Sequence, residues 1–183
     1  MIKYSKDYSP ILEYWEQIES GKEIVCDKIY RTYKKIVYDL TDNSSEFFYS
    51  PARANHVIEF IENFCRHSKG KMGGKPVILE LWEKAMLATI FGFIDIEGNR
   101  KYREAILIIG KKNGKSLIAS CVWLYLLVGD GEPGPEIYAV AGKRDQAKII
   151  WQEAKRMVRK SPALAKRIKA LVAELSSELF NDG

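Results

Sequence analysis

Apolar residues recur at helical spacing through most of the first 93 positions. From Pro10, Ile11, Leu12, Trp15 and Ile18 share one face, with Ser9 as N-cap, Pro10 at the first helical position and Gly21 as the stop. A second helix carries Val25, Ile29, Tyr33, Ile36, Val37 and Leu40 on its apolar side, and the polar run Thr41 to Ser45 ends it. Phe47, Phe48 and Tyr49 form a short aromatic stretch before Ser50-Pro51, a second cap followed by proline. The helix it opens is expected to bury Ala54, Val57, Ile58, Ile61 and Phe64. Lys69 to Pro76, KGKMGGKP, packs three glycines and a proline into one short stretch, so it reads as a linker. Beyond it, Val77 to Phe93 resumes the helical pattern, with Leu79, Trp82, Met86, Ile90 and Phe93 inward and Gly98-Asn99 as a turn.

After residue 100 the pattern changes. Ala105 to Ile109 is an unbroken apolar run of strand length, which predicts a strand buried on both faces, as strands of parallel sheets are. A second apolar segment, Ser116 to Gly129, reads as a buried helix, and GDGEPGP to Pro135 is a connecting turn. Glu136 to Ala141 predicts a second buried strand. The helix after it places Ala147, Ile150, Trp151, Ala154, Met157 and Val158 inward, and Ser161-Pro162 opens a last helix with Leu164, Ile168, Leu171, Val172, Leu175 and Leu179 on one face. Alternating strand and helix specify an α/β arrangement with a parallel sheet, preceded by an all-helical region. The linker divides the chain into a helical region, 1–75, and an α/β region, 76–183.

Composition narrows the class. With 46% hydrophobic and 29% charged residues the chain has the balance of a globular protein, and a net charge of +5 suits an anionic partner. Cys26, Cys65 and Cys121 lie far apart and outside metal-ligand spacing, so they are expected to be free thiols in a reducing compartment. Cys65 and His67 have no second pair to complete a zinc site and read as helix-end residues. His56 and His67 have no Ser, Asp or Cys partner at a recognisable spacing and read as surface or capping groups. MIKYSKDYSP has no apolar signal core, and Ser116 to Gly129 is shorter than the roughly 20 residues that span a bilayer, so a soluble, intracellular protein is expected.

Between the first predicted strand and its helix lies Gly110-Lys111-Lys112-Asn113-Gly114-Lys115-Ser116. A strand, a glycine-containing loop and a helix N-terminus together present amide N–H groups and a positive dipole end to an anion. Gly114 lets the backbone approach phosphate oxygens, Lys115 can reach the β- and γ-phosphates, and the Ser116 hydroxyl can ligate Mg²⁺. The loop is one residue shorter than G-x-x-x-x-G-K-[ST], so its placement between strand and helix, more than the Gly-Lys-Ser triplet, makes it a nucleotide-loop candidate.

The loop and its flanks resemble the ATPase part of tailed-phage terminase large subunits. Leu81-Trp82-Glu83 followed by Ile90-Phe91-Gly92 is similar to the family's adenine-side motif of Trp-Gln and then Phe-Gly. The phosphate loop is similar to the family's Arg-Lys-Asn-Gly-Lys-Ser. Glu136 to Ala141 with Arg144-Asp145-Gln146-Ala147 behind it resembles the family's second strand and its Asp-Gln-Ala helix start. Two positions depart from that pattern. Glu83 stands where glutamine is usual, so an amide pairing to adenine is replaced by a carboxylate that only accepts. Lys111 stands where arginine is usual and keeps the charge without the planar fork.

The resemblance implies a P-loop NTPase (RecA-like/ASCE) fold with a partial parallel sheet and flanking helices. It implies ATP and Mg²⁺ as cofactors: Lys115 and Lys111 act on phosphate charge, Gly110 to Ser116 hold the nucleotide, Ser116 faces the metal, and Trp82 and Glu83 lie on the base side. It further implies a motor that packages double-stranded DNA into procapsids in the host cytoplasm, working with a terminase small subunit and a portal protein, with homo-oligomers among its assemblies and no membrane association. Family members continue into an Asp-Glu strand, a coupling motif and a nuclease domain that these 183 residues do not show, so the expected match is to the N-terminal ATPase portion, with weak or no hydrolysis. The other reading is a non-catalytic prophage remnant or a helical module that binds DNA or a partner. The basic last third, from Lys143 and Arg144 through Arg159, Lys160 and Lys169, is either a solvated helix face or a contact for DNA phosphates.

Overall fold

A computed structural model describes residues 1–170 and 175–177. They contain α1 (Pro10–Glu19), α2 (Asp27–Asp39), β1 (Phe48–Tyr49), α3 (Pro51–Phe64), a 3-10 turn (Gly70–Met72), α4 (Leu81–Gly92), β2 (Phe93–Ile94), α5 (Lys115–Val128), α6 (Arg144–Lys160), α7 (Pro162–Ala165), β3 (Ile168–Ala170) and β4 (Leu175–Ser177). Two compact units divide them: one comprises Ile2–Glu59 and Leu79–Leu107, the other Met1, Phe60–Ile78 and the described residues from Ile108 on.

In the first unit the caps sit where the sequence places them. Ser9 Oγ accepts from the Leu12 N–H at 3.4 Å with Pro10 at the first position of α1, and Ser50 Oγ accepts from the Arg53 N–H at 3.4 Å ahead of α3. Each hydroxyl satisfies a donor the helix leaves unpaired. Helix α1 packs on α2 and α4, burying Ile11, Tyr14 and Ile18, with Tyr14 and Tyr33 meeting edge to face at 4.8 Å. Strands β1 and β2 pair antiparallel, Phe48 opposite Ile94 and Tyr49 opposite Phe93. Gly92 is what allows Tyr49 so close to the end of α4: a Cβ there would lie 2.6 Å from the ring.

Helix α4 differs from its reading in two respects. It starts at Leu81, not Val77, and its buried apolar side chains are Ala85, Leu87, Ala88 and Phe91, whereas Trp82, Met86 and Ile90 are half-buried; Leu79 and Phe93, just outside the helix, are buried as read. An almost wholly apolar helix carries little directional signal, so periodicity alone gave the wrong face. One charged cluster is enclosed here. Asp39, 7% exposed, accepts from Lys101 Nζ at 2.8 Å and from Lys35 Nζ at 3.1 and 3.2 Å, and the Lys101 ammonium also lies over the Phe93 and Tyr102 rings.

In the second unit α5 packs on α6. The Ser120 hydroxyl bonds the Ser116 carbonyl at 2.7 Å and the Ile150 carbonyl at 2.9 Å, and Cys121 Sγ meets Met157 Sδ at 3.9 Å. The stretch read as a linker is instead a hydrogen-bonded hairpin. Arg66 and Pro76 form an antiparallel bridge, the His67 N–H donates to the Lys75 carbonyl at 2.9 Å, the Gly74 N–H to the His67 carbonyl at 2.8 Å, and the Val77 N–H to the Cys65 carbonyl at 3.2 Å. Gly70 (φ 66°) and Gly74 (φ 86°) supply the positive-φ corners, so the glycines read as marking a linker shape a turn.

The parallel sheet is not formed among the described residues, whose two-stranded sheets, β1–β2 and β3–β4, are both antiparallel. Residues 105–109 and 136–141, read as two buried strands, join no ladder. Ile106 and Ile108 are each 89% exposed, and Tyr138 and Val140 are 76% and 90% exposed. From 136 to 140 exposed and half-buried positions alternate, as along an extended chain with one covered face, and Trp123 Nε1 on α5 donates to the Ile137 carbonyl at 3.3 Å. A strand buried on both faces needs a neighbour at its edge and cover on each side; α5 supplies one side.

The last helix is also shorter than read. Ser161 Oγ accepts from the Leu164 N–H at 3.5 Å and Pro162 starts α7, but the helix ends after one turn at Ala165, and Ile168–Ala170 pairs with Leu175–Ser177. Leu164 and Ile168 are buried as expected, since a single turn followed by an extended residue puts both against α6. Leu171, Val172 and Leu179 lie outside the described residues.

Candidate functional site

The loop Gly110 to Gly114 leads directly into α5, the 14-residue helix that begins at Lys115. Its shape depends on two left-handed residues, Lys112 (φ 67°) and Gly114 (φ 73°). Gly114 is the N-cap: its carbonyl accepts from the Ile118 N–H at 2.9 Å, and its left-handed backbone turns the chain from loop to helix. Gly110 lies under the Asn113 side chain, where a Cβ would come within 3.2 Å of Nδ2. Lys112 takes the left-handed region without glycine's freedom, which costs about 1 kcal/mol.

Lys111, Lys112, Asn113, Lys115 and Ser116 are all exposed around this turn. Lys115 Nζ folds back and donates to the carbonyls of Ile109 and, at 3.3 Å, of Gly110. Its ammonium is thereby held over the loop. Ser116 is the second residue of α5, and the first amides of a helix together with its dipole favour negative charge in front of them. The residues fit an anion of the phosphate type in three ways: glycine where a Cβ would crowd Asn113 and where the backbone turns left-handed into the helix, a cation over the loop, and a hydroxyl at the helix start. Among the described residues no cluster of His, Cys, Asp and Glu is arranged to hold a metal ion by itself, so a divalent ion here would depend on ligand oxygens together with Ser116.

Trp82 and Glu83 lie on α4 in the other unit. Glu83 has a role there that its sequence position did not announce: Glu83 Oε2 accepts from the Glu80 N–H at 2.9 Å, closing a capping box at the start of the helix. Burial raises the Glu83 carboxyl above its usual range and the Glu80 charge adds to that, while the bond from the Glu80 N–H opposes it. Glu80 and Glu83 have the three-residue spacing of a capping box before an apolar run, but without the Ser or Thr at the cap that marks one in a sequence. The basic last third is partly used within its own unit. Lys148 pairs with Asp145 at 3.9 Å, Arg156 with Glu153 at 3.8 Å, and Lys155 lies 4.7 Å from the centre of the Trp151 ring. Arg159 and Lys160 remain exposed at the end of α6.

A glycine loop that leads an ammonium and a hydroxyl into a helix is the arrangement of the P-loop class, here in a fold of mixed helix and strand. Within that class the chain is a member of the terminase large subunit family: residues 81–177 match the family model for the terminase large subunit, ATPase domain. It is 33% identical over 113 residues to the terminase large subunit of Enterobacteria phage HK97, an overlap covering 61% of this chain and 21% of that protein. The crystal structure of the HK97 bacteriophage large terminase is similar to it with a TM-score of 0.59 and 28% identity, over 70% of this chain and 26% of the other. The chain thus spans about a quarter or less of the length of these relatives. No helix among the described residues is long and apolar enough to cross a membrane.

Proposed function

We propose that this chain binds ATP with Mg²⁺ through Gly110–Ser116 and serves a motor that packages double-stranded DNA into phage procapsids. The observation that carries the reading is the turn at Gly114, which delivers Lys115 and Ser116 to the start of a 14-residue helix inside the region matched by an ATPase-domain family. Nucleotide phosphates would take the positions in front of the α5 amides. Lys115 would exchange its two carbonyl partners for phosphate oxygens, Lys111 would add charge from the loop, and the Ser116 hydroxyl would face the cation. Magnesium supplies neutralisation of charge on the β- and γ-oxygens when it is bound. Trp82 and Glu83 are proposed for the base side by the resemblance alone, with Glu83 Oε2 already engaged at the Glu80 N–H.

Hydrolysis needs a group that orients the attacking water. No apolar strand ending in an Asp-Glu pair is apparent in the sequence, so the proposal for the isolated chain is nucleotide binding with slow or no turnover. Double-stranded DNA, a terminase small subunit, a portal protein and further copies of the chain are the proposed partners, in the cytoplasm of the host.

Titration calorimetry with magnesium-ATP on the wild type and on Lys115→Ala tests the binding step. Wild-type binding weakened about 10- to 100-fold in the variant, the range for losing a charged hydrogen bond, is the expected result. Equal affinities would remove Lys115 from the site, and no heat from either protein would withdraw nucleotide binding for this chain.

A further inference from the structure

The hairpin between α3 and α4 carries positive charge that the nucleotide reading does not use. From Arg66 to Pro76 it carries Arg66, Lys69, Lys71 and Lys75 and no acid. Lys69, Lys71 and Lys75 are exposed. The hairpin is ordered against α6 of the same unit: the Ser68 hydroxyl bonds Glu153, and Lys69 reaches Glu153 at 3.9 Å. Lys160 at the end of α6 approaches Gly73 so closely that a Cβ there would lie 3.3 Å from its Nζ. The hairpin cations and Lys160, exposed at the end of α6, therefore adjoin on one surface.

We propose that this surface, the hairpin with the C-terminal end of α6, docks the phosphate backbone of duplex DNA. The charge is spread along a turn and a helix end and not gathered in a pocket, which suits a polyanion with repeating charge better than a single small ion. Around Gly70 and Gly74 a Cβ would meet nothing within 4 Å, so the corners of the hairpin offer bare backbone to a bulky phosphate chain. Glu153, the acid beside the hairpin, is engaged with Ser68, Lys69 and Arg156, which limits its repulsion of a polyanion. Contacts of this kind position a duplex without reading its sequence. The choice of duplex DNA over other polyanions rests on the packaging reading given above.

The test is fluorescence anisotropy of a labelled duplex with the whole chain, comparing wild type, Lys71→Ser/Lys75→Ser, Lys71→Gln, and a control, Lys22→Ser/Lys28→Ser, with exposed lysines of the other unit. Losing two phosphate contacts should reduce the slope of log affinity against log salt by about 1.8, and losing one by about 0.9. The affinity deficit of the double variant should then be about tenfold larger at roughly 50 mM salt than at roughly 200 mM. The control should keep the wild-type slope. An unchanged slope in both hairpin variants, or no duplex binding by the wild type at low salt, overturns the proposal; so does a hairpin dependence seen with anionic phosphatidylserine vesicles and not with duplex. Lys71→Gln keeps the experiment decisive if the double variant loses its circular dichroism signal. Hairpin-dependent duplex binding without magnesium-ATP binding would leave this surface standing and remove the motor reading; magnesium-ATP binding with hairpin-independent duplex binding would do the reverse.

Discussion

Replacing Lys101 by methionine isolates the ion cluster at Asp39. Methionine keeps an apolar stem near Phe93 and Tyr102 and removes only the ammonium, so the effect is electrostatic. Removing one partner of a fully buried pair costs about 3–5 kcal/mol. Two features reduce that here: Lys101 is itself 23% exposed, and Lys35 still reaches Asp39. The expected loss is about 2 kcal/mol, near the value of a charged hydrogen bond, or about 4–8 °C in Tm for a chain of this size. Lys35→Met, removing a lysine 73% exposed, should cost under about 1 kcal/mol.

The pH dependence has a definite sign. Burial pushes the Asp39 carboxyl up, but hydrogen bonds and charge from Lys101 and Lys35 outweigh it and hold it below its usual value. A depressed folded value means the contribution is complete above the unfolded carboxyl value of about 3.9 and is lost as pH falls through the folded one. The gap between wild type and Lys101→Met, read from thermal melts by far-ultraviolet circular dichroism, should therefore hold from neutral pH to that value and close below it. A gap that persists unchanged into strong acid, or a Lys35→Met loss as large as that of Lys101→Met, would refute the assignment.

Gly92→Ala should destabilise by about 1–2 kcal/mol in urea titration, because the new methyl meets the Tyr49 ring and Ala54 and overpacking outweighs the helix preference of alanine; an unchanged midpoint would mean that Tyr49 moves freely. At Lys112, glycine should be tolerated within about 0.5 kcal/mol while valine costs about 1–3 kcal/mol, since φ 67° suits glycine and disfavours a β-branched residue. Equal melts for the two variants would show that the loop does not hold that backbone. In thiol titration Cys26 should react fast in the native chain, with Cys65 and Cys121 reacting only on unfolding, because both are 0% exposed.

The helices were legible where caps and amphipathic periodicity agree. Ser9-Pro10, Ser50-Pro51 and Ser161-Pro162 all start helices, and Ala154, Met157 and Val158 are the buried face of α6. The readings failed where a short pattern depends on partners elsewhere. Ala105 to Ile109 has the composition of a central strand, but composition does not provide the ladder that would make it one. The hairpin at 66–76 was missed because glycine marks both a flexible linker and a turn, and the pairing of His67 with Lys75 has no signature in either residue. At the site, Gly114, Lys115 and Ser116 could be placed from the order of parts alone, whereas the left-handed Lys112 and the inward fold of Lys115 follow from backbone geometry that no residue type declares.

That inward fold has a consequence for which anions the loop could retain. Lys115 starts out balanced by two neutral oxygens, those of Ile109 and Gly110, and a ligand has to outbid both. Each of those bonds is already charge-assisted by the ammonium, so a lone small anion that takes only the lysine has to replace two such bonds with its own. A chain of phosphates that takes the lysine and also several amides at the head of α5 comes out ahead. The proposed site would thus favour a chain of phosphates over a lone phosphate or sulfate without any steric barrier to either.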